Sequence, residues 1–340
     1  AAEADLRAAI ALLQPQKLEF DLARAELLLT ALLYQQHLPD AQLLWEETAT
    51  RIVQNGFGFL VEQERKLTYP LINDGLKSSY ARVVEASNTL MEYLQRAQPL
   101  PMGIKTMGGW HIQCGEHQID DTTLKTRRAG ELLGLLLIAP GRSLSHEQIS
   151  ESLCPNKDPS SAQALLHQAS SALRRALEPD LPEKFPSRYL RVEEGRIALV
   201  LPPGSELDYE LFERYIKQAN WESSLAIYQG DFLPEYRYAD WCAAQREWLR
   251  QDYQIALLMM ARRWLAEDRF RDALEACHKV LAIEPWQEKA VLLGMQAFIG
   301  IGNIAGALRL YQTLEKTLQE ELGVKPQAEL QAYYQTLLNK

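Results

Sequence analysis

Cysteine is scarce in this 340-residue chain, and its four copies, Cys114, Cys154, Cys242 and Cys277, stand 35 or more residues apart. That spacing excludes a zinc ribbon and a dense disulfide framework and leaves buried free thiols as the expectation. Long apolar runs are missing too. The longest, LLGLLLIA at Leu132 to Ala139, falls far short of the ~20 residues that a membrane-spanning helix needs, so no membrane partner is expected. Positive charge is not in surplus: 36 Lys and Arg face 45 Asp and Glu, a net charge of −9. Any attraction to a polyanion must therefore come from a local patch. The N-terminus AAEADLRAAI carries acid early and has neither a basic leader nor a cleavage site, so the expected location is cytoplasmic. It also lacks an initiating methionine, which suggests a piece of a longer protein. No phosphate-binding loop, G-x-S-x-G elbow or dinucleotide glycine fingerprint occurs, so neither an enzyme nor a cofactor is expected. His111, Cys114 and His117 recur at three-residue intervals, yet strand alternation sends 111 and 114 to opposite faces, which argues against a metal site.

What the chain does have is the composition of a globular protein, 47% hydrophobic and 24% charged, with length for two or three domains. Residues 1–98 carry helical patterning. FDLARAELLLTALLYQQ, Phe20 to Gln36, sets Leu22, Ala25, Leu28, Leu29 and Leu32 at three- and four-residue spacing, and DAQLLWEETATRIVQNG gives a second amphipathic run ending near Asn55-Gly56. Joined by HLPD, they predict an antiparallel helix pair. Runs over roughly 59–73 and 77–96 repeat the arrangement.

Pro99-Leu100-Pro101 ends this pattern, since two prolines in three residues favour extended backbone. IKTMGGWHIQCGEHQIDD then alternates around Trp110, Ile112 and Cys114 with a turn at Gly115-Glu116, predicting short antiparallel strands. Helices return with RRAGELLGLLLIA. Ser145 stands three residues before Gln148, a capping box that satisfies the free amides of a helix start. In NKDPSSAQALLHQASSALRRALE, Pro159 suits a first turn with Asp158 or Ser160 as cap. YLRVEEGRIALVLP predicts a hairpin turning at Glu194-Gly195. Strands, three helices and a hairpin make a winged-helix layout, in which the third helix enters the major groove and the hairpin lies beside it.

From Leu207 onward the chain is helical again, with a measurable repeat. A 34-residue shift pairs Ala256 with Ala290, Leu258 with Leu292, Trp264 with Phe298, Ala273-Leu274 with Ala307-Leu308, and Val280 with Leu314, the period of tetratricopeptide helix pairs. Trp241, Trp248, Trp264 and Trp286 are expected to pack between helices. The expected fold is thus mainly α: a helical-repeat segment over 1–98, a winged helix with small β-sheets over 99–204, and a tetratricopeptide-like domain over 205–340.

In the third helix of the middle unit, Leu166, Ala169, Leu173 and Leu177 share one face, while Gln163, His167, Ser171, Arg174 and Arg175 lie opposite. Amides and arginine can read base edges, and guanidinium also holds phosphate. Any solvated helix carries such residues, so the order of elements weighs more than the helix alone. TRRAGELLGLLLIAPGRSLSHEQISESLCPNKD and ALLHQASSALRRALEPD resemble the OmpR-type winged helix of SARP-like bacterial transcriptional activators. SELDYELFERYIKQA, LAIYQGDFLPEY, WCAAQREWLR and EELGVKPQAELQAYYQTLL resemble their bacterial transcriptional activator domain. The resemblance covers about residues 104–338, and the N-terminal helices are similar to the end of the repeat array in STAND-class regulators.

It implies a sequence-specific DNA-binding regulator whose partners are duplex DNA and, through the C-terminal module, RNA polymerase or a sigma factor, or a second copy. Gln163, His167 and Ser171 are the expected base contacts. Arg174, Arg175, Arg188 and Arg196 are expected on phosphate, with Arg127 and Arg128 as further backbone contacts. Two features depart from the family. Cys154 replaces a common tryptophan, and the wing tip carries Glu193-Glu194. Over 101–204, twelve Lys and Arg meet twelve Asp and Glu, so modest DNA affinity is expected unless charges segregate or copies combine. The alternative is an interaction scaffold whose winged helix has lost DNA binding.

Overall fold

The computed structural model describes residues 2–96, 99–115, 117–119, 121–125, 128–179, 181 and 185–339. Six helices come first: α1 (Ala2–Leu13), α2 (Glu19–Gln35), α3 (Asp40–Gln54), α4 (Phe59–Gln63), α5 (Arg65–Gly75) and α6 (Ala81–Arg96). The helix expected over 59–73 is broken at Glu64, whose backbone leaves the helical region. Thr68 bridges the break by donating its hydroxyl to the Val61 carbonyl at 2.8 Å. Leu27, Ala31, Trp45, Ile52, Leu90 and Leu94 form the core of this array. Gly75 allows α3, α5 and α6 to converge, because a Cβ there would stand 2.2 Å from Ser87 Oγ and 2.7 Å from Trp45 Nε1.

The middle of the chain begins with β1 (Met102–Lys105), β2 (His111–Cys114) and β3 (His117–Ile119), an antiparallel set in which Ile104 faces Ile112 and Ile112 faces Ile119. Next come α7 (Asp121–Lys125), α8 (Ala129–Ile138), β4 (Ser143–Ser145), α9 (His146–Leu153), α10 (Pro159–Leu177), β5 (Leu190–Glu193), β6 (Arg196–Leu199) and β7 (Glu206–Leu207). Helix α8 is apolar nearly all round and sits at the centre, with Leu132, Leu133, Leu135, Leu136 and Leu137 buried. Strands β5 and β6 form the expected hairpin, and β4 pairs with β6 to complete a three-stranded sheet. Its turn requires left-handed backbone at Glu194 (φ 49°) and Gly195 (φ 74°), the conformation that suits a two-residue hairpin loop.

Helices α11 (Asp208–Lys217), α12 (Trp221–Ile227), α13 (Asp240–Ala266), α14 (Phe270–Ile283), α15 (Glu288–Gly300), α16 (Ile304–Glu321) and α17 (Ala328–Leu338) complete the chain. The 34-residue partners Ala256 and Ala290 are both fully buried, as are Ala273 and Ala307, so the repeat marks where helices approach closely. Trp241 packs over Gly134 of α8, but Trp248 is 63% exposed, contrary to expectation, because it lies on the outer face of α13.

One apolar core runs from Met102 to Leu249 without a break at residue 204. Strand β7 extends the first sheet by pairing parallel to β1, with Gly103 opposite Glu206. The Asp208 carboxylate then accepts from the Thr106 amide (2.8 Å), the Met107 amide (2.9 Å) and the Thr106 hydroxyl (2.7 Å). Arg246, buried in α13, donates to the carbonyls of Phe232, Tyr236 and Arg237, fixing the loop that lies against Met107.

Candidate nucleic-acid interface

Helix α10 starts where the sequence predicts. Asp158 is extended and accepts from the Ser161 amide (3.0 Å) and the Ser160 hydroxyl (2.6 Å), with Pro159 opening the first turn. Those donors, the Ser160 hydroxyl foremost, hold the Asp158 carboxyl well below the usual carboxylate range. Ala162, Leu166, Ala169, Leu173, Ala176 and Leu177 face the core. Gln163, His167 and Arg175 are exposed on the other side, with Ser171 and Arg174 half-buried beside them. The Arg175 guanidinium donates to Ser171 Oγ at 3.1 Å, which lays it along this face.

The predicted capping box is present: Ser145 Oγ accepts from the Gln148 amide at 3.2 Å, and the Gln148 side chain accepts from the Ser145 amide at 2.9 Å. It places His146 at the first turn of α9, with its ring edge-on to His167 at 6.5 Å. The His146 amide donates to the Gly195 carbonyl at 2.9 Å, tying α9 to the wing tip. Sequence reasoning missed His146 as part of this surface; its position directly after the capping Ser145 was the available signal. On the wing, Arg196 donates to Ser143 Oγ (3.2 Å) and to the Ser143 carbonyl (3.1 Å) and stays exposed. Glu193 and Glu194 are exposed at the tip.

Two expected phosphate contacts are corrected. Arg188 is held by Glu178 (Nε to Oε1, 3.0 Å) and by Glu62 of α4 (2.5 Å), so it faces the N-terminal helices. Glu178, at the end of α10, is 6% exposed and also accepts the Arg188 amide, and a carboxylate so buried demands a paired cation. Burial works against the Arg188 cation, but Glu178 and Glu62 outweigh it and raise its pKa. Arg128, half-buried, is engaged within the chain as well, donating to the Leu153 carbonyl and, at 3.6 Å, to Cys154 Sγ. It therefore caps the end of α9, in the place where Cys154 departs from the family pattern. Arg127 lies outside the described residues.

Residues 211–338, α11 to α17, match the family model of the bacterial transcriptional activator domain. The C-terminal helical module is thus similar to this activator domain. Among curated proteins, none matches the chain. Among solved structures, Mycobacterium tuberculosis EmbR in complex with a low-affinity phosphopeptide is similar, with 18% identity and a TM-score of 0.57. The likeness covers 70% of this chain and 65% of the EmbR chain, and at that identity it is a likeness of fold. The matched domain and the fold are SARP-like. No helix among the described residues is long and apolar enough to cross a membrane.

Proposed function

We propose that the chain binds duplex DNA sequence-specifically and activates transcription, reading the major groove with α10. The observation that carries this reading is the outward face of α10, which sets an amide, an imidazole and two guanidinium groups beside a β-wing. Gln163 and His167 read base edges, with Ser171 nearby, while Arg174, Arg175 and Arg196 hold phosphate. With twelve cations against twelve anions over 101–204, one copy binds weakly, and a second copy on an adjacent half-site supplies the rest. The activator domain presents its helical surface to RNA polymerase or a sigma factor. Exposed Glu193 and Glu194 favour a second reading, a scaffold that no longer binds DNA.

Selection from a random duplex pool, followed by titration at several salt concentrations, tests the proposal. Arg174→Ala with Arg175→Ala should weaken binding to all duplexes alike and lower the log–log salt slope by roughly 0.9 per lost contact. Unchanged binding at every salt concentration would make both arginines a solvated face and put the scaffold reading first.

A further inference from the structure

Helices α1–α6 and the units that follow have separate apolar cores, one built around Leu27, Trp45 and Leu90, the other running from Met102 to Leu249. Among the described residues, no helix of the array packs extensively on an element of the second unit. What crosses is the connection from α10 to β5. From it Leu181 and Phe185 enter the core of the array, Phe185 to 2% exposure. The Tyr69 ring meets Phe185 edge-on at 4.4 Å and the Arg65 guanidinium covers it at 4.3 Å, both from α5. The same connection is tied to the DNA-facing elements. Glu178, at the end of α10, accepts from the Ser187 hydroxyl (2.5 Å), the Arg188 amide (3.0 Å) and Arg188 Nε (3.0 Å), directly before β5. Arg188 Nη1 then reaches Glu62 of α4 at 2.5 Å.

This joint is separable. Its charges balance, Arg65 and Arg188 against Glu62 and Glu178, yet Arg65 Nε and Glu62 Oε2 are buried without a hydrogen-bond partner, and an incompletely satisfied buried ion cluster adds little net stability. Clefts of about 680 and 440 Å³ flank it, so it is narrow. The break at Glu64 (φ −103°, ψ 34°) separates Glu62 on α4 from Arg65 on α5. The two charged grips of the array thus stand on either side of a non-helical residue, the kind of position at which a hinge absorbs backbone change.

We propose that the helical array is a detachable regulatory clamp on the connection between α10 and the wing, with Phe185 as the plug and Glu62 and Arg65 as the grips. A shift across the Glu64 break then changes how the wing stands beside α10. Docked at the C-terminal end of α10, the array leaves Gln163 and His167 exposed, so it does not cover the reading face. Docking holds the wing in place for reading, and release weakens reading by populating states in which the wing is no longer fixed. That last step rests on the function proposed above for α10 and the wing; the docking itself does not.

Hydrogen exchange of the full chain, paired with titration of the selected duplex, is the test. The Arg188 amide is held by Glu178 and the Leu190 amide by Ser187 Oγ (3.0 Å), so both report on the connection. Tyr69→Ala and Glu62→Gln, each made wholly within the array, should raise their exchange at least tenfold and weaken duplex binding at least fivefold. Amides inside α10, at Leu166 and Leu173, should change less than threefold. Phe185→Ala should act more strongly, and the two array-side variants carry the test if its loss of core packing unfolds the array. Unchanged exchange at Arg188 and Leu190 in a Tyr69→Ala chain that keeps its circular dichroism overturns the clamp. Raised exchange with full duplex binding overturns its regulatory role and leaves a packing contact. If the parent selects no duplex, the function proposed above and the regulatory step fall together, while the exchange measurement still decides the docking.

Discussion

Replacing Asp208 with alanine should loosen the joint between the first sheet and the activator domain more than any surface change. The carboxylate accepts four donors: the amides of Thr106, Met107 and Tyr209 at 2.8, 2.9 and 2.8 Å, and the Thr106 hydroxyl at 2.7 Å. Thr106 and Met107 are buried, at 0% and 3% exposure, so their amides have little access to replacement water. A hydrogen bond to a charged group contributes about 1.5–3 kcal/mol, and an unsatisfied buried donor costs about 1–3 kcal/mol. These effects overlap, and Asp208 is itself half-buried, so a total near 3 kcal/mol is expected rather than the sum. Since about 1.4 kcal/mol is a factor of ten, hydrogen-exchange protection of the Thr106 and Met107 amides should fall roughly a hundredfold. Asp208→Asn keeps one acceptor oxygen and should lose about half as much on the free-energy scale. Less than a threefold loss in Asp208→Ala would refute the reasoning, because the carboxylate would then not be what holds the two parts together.

Gln163→Ala or His167→Ala should leave stability within about 0.5 kcal/mol and reduce discrimination between selected and random duplex by about 1–3 kcal/mol, read by competition binding. Gly300→Ala should destabilise by about 1–3 kcal/mol in urea unfolding, since the new Cβ would stand 2.3 Å from the Phe270 ring, and Phe270→Ala in the same chain should return part of the loss. Burial pushes the Cys277 thiol up to about 12, so at pH 8 it should resist alkylation until denaturant is added; a Cys277 adduct found by mass spectrometry in native buffer would contradict that packing.

Whatever depends on neighbours a few residues away was legible in the order of the letters. The Ser145–Gln148 capping box, the Asp158 cap, the Glu194-Gly195 turn and the α2–α3 pair all lie where spacing placed them, because each is settled within one or two turns of chain. The inward and outward faces of α10 were legible for the same reason, since helical periodicity sorts them. The remainder depends on packing between distant segments. Strand β7 finds β1 across about a hundred residues, and Phe185, which follows α10 in the chain, completes the core of the N-terminal array. Nothing in the letters of Arg188 separated it from Arg175. One is drawn in by the buried carboxylate of Glu178 and by half-buried Glu62, 126 residues away, while the other remains at the surface. A cation goes to the least solvated anion within reach, and which anions lose their water is settled only when distant segments pack.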